Sequence, residues 1–125
     1  MEEIEKQYLA ESKNYYIKGY YEDANLHRKS DGKLICCVGS FYGETEDAVI
    51  DKNEKFCVTV GCGVIVYRLK EPFRGYSYDK ITDQWYEFGR GPENIYWAMK
   101  VRQISDDEVE IIDEEDNVQV LKIQL

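Results

Sequence analysis

The spacing of apolar residues near the N-terminus differs from that in the rest of the chain. Within Glu2–Lys13, Ile4 and Tyr8 are four positions apart among Glu, Lys, Gln and Ala, which favour helices. Several acidic residues stand early in this segment, where they interact favourably with the positive end of a helix dipole. The pattern therefore predicts a short N-terminal helix over Glu2–Lys13.

After Asn14 the pattern changes to short apolar runs, rich in β-branched and aromatic residues, between polar turn sequences. The predicted strands are Tyr15–Tyr21, Leu34–Tyr42, Phe56–Val60, Val64–Leu69, Tyr76–Tyr78, Trp85–Phe88, Ile95–Ile104, Val109–Ile112 and Val118–Leu125. Phe56–Val60 alternates as a half-buried strand does, and Tyr76–Tyr78 with Trp85–Phe88 is expected to form a hairpin. Together these strands predict a mainly β fold, an antiparallel sheet rolled into a barrel or sandwich, with the helix over one end or edge.

Length and composition predict one globular domain over residues 1–125. The longest apolar run is only a few residues, so no transmembrane helix is expected, and Met1–Glu5 is too acidic for a secretory signal. A cytoplasmic location is therefore expected, with the cysteines as free thiols; an even number would suit a disulfide framework only in a secreted protein. The cysteines are Cys36, Cys37, Cys57 and Cys62.

Acidic residues are concentrated at the two ends of the chain, whose net charge is −9. Residues 14–104 carry 13 acidic and 13 basic side chains, whereas Ser105–Leu125 carries eight acids and a single base, Lys122. A charge concentrated on one part of a small domain attracts a basic partner and repels nucleic acid and anionic membranes. We therefore expect a basic protein as the partner, and neither nucleic acid nor a membrane.

In the final predicted hairpin, the acidic side chains are expected to lie on one face. Glu108 and Glu110 alternate with Val109 and Ile111, so one face is apolar and the other carries carboxylates. Two interpretations stay open: a solvated edge that discourages aggregation, or a docking face for a basic protein. The candidate partner-binding acids are Glu108, Glu110, Asp113, Glu114, Glu115 and Asp116.

Aromatic residues are the second candidate feature, with eleven tyrosines, four phenylalanines and two tryptophans. Seven of these rings lie between Tyr76 and Trp97. Tyrosine and tryptophan suit interface hot spots, and they also suit the core of a β-sheet, so both interpretations stay open. The candidate partner-binding aromatic residues are Trp85, Tyr86, Tyr96 and Trp97.

No sequence pattern predicts a catalytic residue, a cofactor or a metal site. His27, the single histidine, is expected in an exposed polar turn, without the spacing of a Cys–His nucleophile pair. The cysteines lie inside apolar runs rather than in zinc-binding turns, and Asp106–Asp116 lacks the central glycine of an EF-hand loop. An enzyme with a carboxylate or cysteine site that only the fold reveals stays a third-ranked alternative.

A small, acidic, β-rich cytoplasmic protein with these features resembles the immunity proteins that bacteria make against polymorphic or contact-dependent toxins. The resemblance is one of kind over the whole chain, and it is carried by the acidic stretch Asp106–Asp116 and the aromatic segment Trp85–Trp97. It implies an inhibitor that binds a basic toxin such as a nuclease. The main alternative is a small-molecule-binding β-barrel with an aromatic-lined cavity, in which arginines would act as donors. The candidate donors are Arg68, Arg90 and Arg102.

Overall fold

The computed structural model describes residues 7–91 and 93–125, and these residues form eleven β-strands and no helix. The strands are β1 (Gln7–Glu11), β2 (Tyr15–Tyr20), β3 (Asp23–Arg28), β4 (Leu34–Ser40), β5 (Asp47–Ile50), β6 (Phe56–Gly61), β7 (Gly63–Arg68), β8 (Trp85–Phe88), β9 (Ala98–Ser105), β10 (Glu108–Asp113) and β11 (Val118–Lys122). The prediction of a mainly β, antiparallel fold is confirmed.

The strands form three antiparallel sheets, and each sheet is a meander of strands that follow one another in the chain. The N-terminal sheet has the order β1-β2-β3-β4, the central sheet β5-β6-β7-β8 and the C-terminal sheet β11-β10-β9. The predicted last hairpin is confirmed, since Val109 pairs with Leu121 and Ile112 with Val118. The sheets do not close into a barrel, so that predicted alternative is wrong for the described residues.

The central sheet is buried on both faces. On β6, Phe56 and Val58 belong to an apolar cluster shared with the C-terminal sheet, whereas Cys57 belongs to a second cluster shared with the N-terminal sheet. The predicted alternation along this strand is present, but it separates two cores rather than a core from solvent. The expectation of a half-buried strand was therefore wrong, because another sheet covers the second face.

The predicted N-terminal helix is also wrong where the structure describes it. Gln7–Glu11 is strand β1 and pairs with β2, while residues 2–6 lie outside the described residues. The ring of Tyr8 stacks on that of Tyr16 in the neighbouring strand, with 5.2 Å between the ring centroids. Strand pairing and this cross-strand contact override the weak helix preference of the local sequence.

Two further local predictions are wrong. Tyr76–Tyr78 is not a strand, and β8 pairs with β7 rather than forming a hairpin with that segment. His27 does not lie in a polar turn but in β3, which is paired on both sides. The imidazole ring stacks on the ring of Tyr16, with 4.9 Å between the ring centroids, so His27 packs against a neighbouring strand of the sheet.

No helix among the described residues is long and apolar enough to cross a membrane.

Candidate functional site

Three of the predicted acidic residues have structural partners in the C-terminal sheet. Glu108 accepts a hydrogen bond from Ser105, and the carboxylate of Glu110 lies 2.7 Å from Arg102. Asp113 accepts bonds from two backbone N–H groups of the following turn, chiefly that of residue 117, and these bonds lower the pKa of its carboxyl group. Part of the predicted acidic face is therefore engaged in contacts within the C-terminal sheet and its last turn.

The other three acids, Glu114, Glu115 and Asp116, are exposed at the tip of this hairpin. The backbone N–H of Glu114 donates to the carbonyl oxygen of Trp97 at 3.0 Å, and Trp97 is 42% exposed. The structure thus places an exposed predicted aromatic residue beside the predicted acidic turn.

The remaining three predicted aromatic residues are buried or half-buried. Trp85 is only 5% exposed and lies in the core against Tyr67, with 6.1 Å between ring centroids. Tyr86 is half-buried and its hydroxyl accepts a backbone hydrogen bond from residue 124. Tyr96 stacks on Phe88, and burial raises the pKa of its hydroxyl group. Trp85 thus belongs to one buried apolar cluster, and Tyr86 and Tyr96 pack against the other.

Five loops meet at the end of the molecule that contains this acidic turn; we call it the acidic end. Backbone contacts join neighbouring loops there, including the bond from Phe41 N to Glu22 O and the bridge between Cys62 and Trp97. The loops are 21–22, 41–46, 62, 89–97 and 114–117. Their acids, all exposed, are Glu22, Glu44, Glu46, Glu93, Glu114, Glu115 and Asp116.

The five loops carry these seven acids and a single base, the half-buried Arg90. Within residues 7–91 and 93–125, none of the seven forms an ion pair. The other loops, 12–14, 29–33, 51–55, 69–84 and 106–107, carry eight acids and eight bases. One of them, 69–84, also reaches the acidic end, where the ring of Tyr78 lies against Arg90. Ion pairs such as Lys52–Asp106 neutralise charge within this second set of loops. The excess negative charge of the loops therefore belongs to one end of the molecule.

A cleft of about 340 Å³ opens at the acidic end. It is lined by Glu22, Ser40, Phe41, Tyr42, Cys62, Tyr78 and Arg90. Tyr42 and Tyr78 are 83% and 67% exposed, so their rings form the mouth of the cleft. The cleft combines aromatic surface with one carboxylate and one guanidinium group.

Arg90 ties together the segments that surround this cleft. Its guanidinium donates to the carbonyl oxygens of Ser40 and Cys62, each at 2.8 Å, and its Nε lies 3.1 Å from a carboxylate oxygen of Glu87. The same Glu87 oxygen accepts a bond from the hydroxyl of Tyr76. Burial, and then this bond, raises the pKa of Tyr76, which therefore stays a donor at neutral pH.

Gly63 leaves the space that the Arg90 side chain occupies. Its φ angle is +108°, a value that residues other than glycine rarely adopt, and a Cβ added to it would clash with Cδ of Arg90. Gly63 is the first residue of β7 and supports one wall of the cleft.

Sequence reasoning missed Glu22, Glu44, Glu46, Tyr42 and Tyr78. The three acids belong to the middle of the chain, whose charges sum to zero along the sequence. A local signal was present, because residues 41–46 (FYGETE) carry two acids, an exposed tyrosine and no base. Only the fold brings this segment to the same end of the molecule as the C-terminal acidic turn.

No group of three or more His, Cys, Asp or Glu side chains within the described part of the chain is arranged to hold a metal ion. The cysteines are free thiols, and burial raises the pKa of Cys37 to about 11 and that of Cys57 further. These two thiols are therefore poor nucleophiles at neutral pH. No family model matches the chain, and no curated protein is detectably similar to it.

Proposed function

We propose that this protein is a protein-binding inhibitor that neutralises a basic toxin, such as a nuclease, in the manner of a bacterial immunity protein. The observation that carries the proposal is the acidic end, which presents exposed aromatic rings and seven exposed carboxylates that form no ion pair within the part of the chain that the structure describes. The predicted interface of the C-terminal hairpin is thereby extended to loops from the whole chain.

The electrostatics of the acidic end suit a basic partner. Because no ion pair within the described residues offsets these carboxylates, they can speed diffusional encounter with a basic protein and occupy the phosphate-binding groove of a nuclease. Exposed Tyr42, Tyr78 and Trp97 provide rigid surfaces with polar edges, the kind of residue that forms the desolvated centre of an interface. Charge then governs association, and the rings govern the lifetime of the complex.

The experiment is affinity capture from the lysate of the source cell at low and high salt, followed by kinetics with the captured protein. The double variant Glu114→Gln/Glu115→Gln removes two charges from the acidic end. The control Glu71→Gln/Asp106→Asn removes two exposed charges elsewhere.

The first variant should slow association roughly three- to tenfold at low salt, and the control should have little effect. Co-expression with the wild-type protein should also suppress the toxicity of the captured protein. Failure to retain a basic protein at low salt, or equal slowing by both variants, would contradict the proposal.

A second candidate function, binding of a small molecule, is favoured by the cleft. One of the three arginines predicted as donors, Arg90, lines it together with aromatic rings. The other two lie elsewhere, since Arg102 pairs with Glu110 and Arg68 donates to the carbonyl oxygen of Asp83. Native mass spectrometry of the protein purified from its source tests this candidate. A bound molecule that is absent from a Tyr78→Ala variant supports it, and a ligand-free wild-type protein opposes it.

A further inference from the structure

The cleft at the acidic end has open walls and one exposed carboxylate. Tyr42 projects from its loop with 83% of its surface exposed, and Tyr78 stands at the mouth with 67% exposed. The exposed Glu22 is the acid that lines the cleft, and Glu44 and Glu46 follow Tyr42 on the same loop. The volume of about 340 Å³ is at the small end for ligand sites, which suits one side chain better than a large molecule.

The positive charge already present in the cleft is compensated. Arg90 uses its guanidinium to bond the carbonyl oxygens of Ser40 and Cys62, and its charge lies against Glu87. The side chain of Arg90 is 13% exposed, so little of it meets solvent. Among the residues that line the cleft, Glu22 therefore carries the one charge that no ion pair within the described residues offsets.

The rings of this cleft already hold a guanidinium group. The Cζ atom of Arg90 lies 4.9 Å from the ring centroid of Phe41 and 5.8 Å from that of Tyr78, distances typical of cation–π contacts. Tyr42 and Tyr78, which are both exposed in the cleft, leave aromatic surface accessible to a second cation. Arginine suits such a site better than lysine, because its planar group stacks on rings and bonds a carboxylate through two N–H groups.

We propose that the cleft receives an arginine side chain of the basic partner, held between Tyr42 and Tyr78 with its guanidinium bonded to Glu22. This inference rests on the proposed function and specifies the anchor of that interface. The partner's arginine enters a pocket that is surrounded by the other acids, as hot-spot residues of protein complexes do.

The test is a titration of the isotope-labelled full-length protein with Nα-acetyl-L-arginine methylamide, followed by NMR. The neutral isostere Nα-acetyl-L-citrulline methylamide is titrated in parallel. Arginine amide should bind in the millimolar range, shift the amide signals of Tyr42 and Tyr78, and bind at least about fivefold more tightly than the citrulline amide. Glu22→Gln should weaken binding about three- to tenfold, and Tyr42→Ala should weaken it similarly.

Glu71→Gln is the control, because it removes an exposed acid that does not line the cleft. Glu22 and Tyr42 are both exposed, so their variants should keep the wild-type pattern of dispersed amide signals. Equal binding of the citrulline amide, loss of binding in the control, or shifts confined to residues outside the cleft would each overturn the proposal. Acetate that binds in the cleft in place of the arginine amide would also overturn it.

Failure of this inference can be told apart from failure of the proposed function. If Glu22→Gln and Tyr42→Ala leave the affinity for the captured toxin unchanged while the Glu114/Glu115 variant weakens it, the function stands and the arginine anchor is wrong. If no basic protein is captured, the function is wrong. The inference then fails as an interface anchor, whatever the amide titration shows.

Discussion

Replacement of Gly63 by alanine should destabilise the protein strongly, because two separate costs meet at this position. The φ angle of +108° is unfavourable for any residue with a Cβ, at a cost of about 1–3 kcal/mol. The added methyl group would also overlap Cδ of Arg90 and approach two carbonyl oxygens at 3.1 Å, and such overpacking costs about 1–3 kcal/mol. The expected loss is therefore about 2–6 kcal/mol of unfolding free energy.

Other glycines of the chain separate the two costs. Gly43 has a φ of +100° with no atom within 4 Å, so Gly43→Ala should show the backbone cost alone. At Gly39 the backbone is unstrained but a Cβ would lie 2.5 Å from Oγ1 of Thr59, so Gly39→Ala should show the steric cost alone. Gly75 has neither problem, and Gly75→Ala should be neutral or slightly stabilising.

Urea denaturation followed by tryptophan fluorescence and circular dichroism measures all four variants. With an m-value of about 2 kcal/mol per M, the Gly63→Ala midpoint should fall by roughly 1–3 M, close to the sum of the shifts for Gly43→Ala and Gly39→Ala. An unfolding free energy for Gly63→Ala within about 0.5 kcal/mol of that for Gly75→Ala would refute the reasoning. It would mean that the hairpin and Arg90 move aside at little cost.

Two further predictions concern titrating groups. Burial opposes ionisation of Glu54, but hydrogen bonds from Ser12 and Asn14 outweigh this effect and lower the pKa of its carboxyl group below 4.5. The stability that the ionised Glu54 contributes should therefore be lost as the pH falls through its pKa in the folded state. Glu54→Gln should therefore lose less stability than the wild type between about pH 5 and pH 3 in urea melts, and parallel losses would contradict this. Burial raises the pKa of Cys37 to about 11 and that of Cys57 further, so a thiol reagent at neutral pH should modify both far more slowly in the native protein than in urea. Peptide mapping by mass spectrometry measures the two rates, and rapid native labelling of Cys57 would contradict its burial.

The strands that sequence could predict are those that contain several aliphatic or aromatic residues of their own. Val109–Ile112 and Val118–Leu125 were predicted as a hairpin, and the structure pairs the two segments, with Val109, Ile111 and Ile123 in one buried cluster. Asp23–Arg28 was missed because only Ala24 and Leu26 are apolar, and pairing on both sides makes it a strand. Residues 7–11 were predicted as helix because their local sequence favours a helix, but pairing with β2 outweighs that preference.

The candidate site could be predicted only in part, because charge along a sequence differs from charge in space. Glu114 and Trp97 come from two predicted features, and the structure places them in contact. Glu22 and Glu44 were hidden in a segment with balanced charge, and the meander topology alone brings their turns to the acidic end. The aromatic stretch divides into Trp85, which is buried on β8, and Trp97, which is exposed in the loop before β9, and the local sequence does not distinguish these two positions.

The double burial of the central sheet has a consequence for synthesis on the ribosome. The three meanders emerge in chain order, so the first two can pack together before the third exists. Until the C-terminal sheet arrives, the nascent chain exposes a valine-rich surface on β6 and β7. Such a surface is prone to aggregation, so a chain released after residue 97 should need a chaperone or become insoluble.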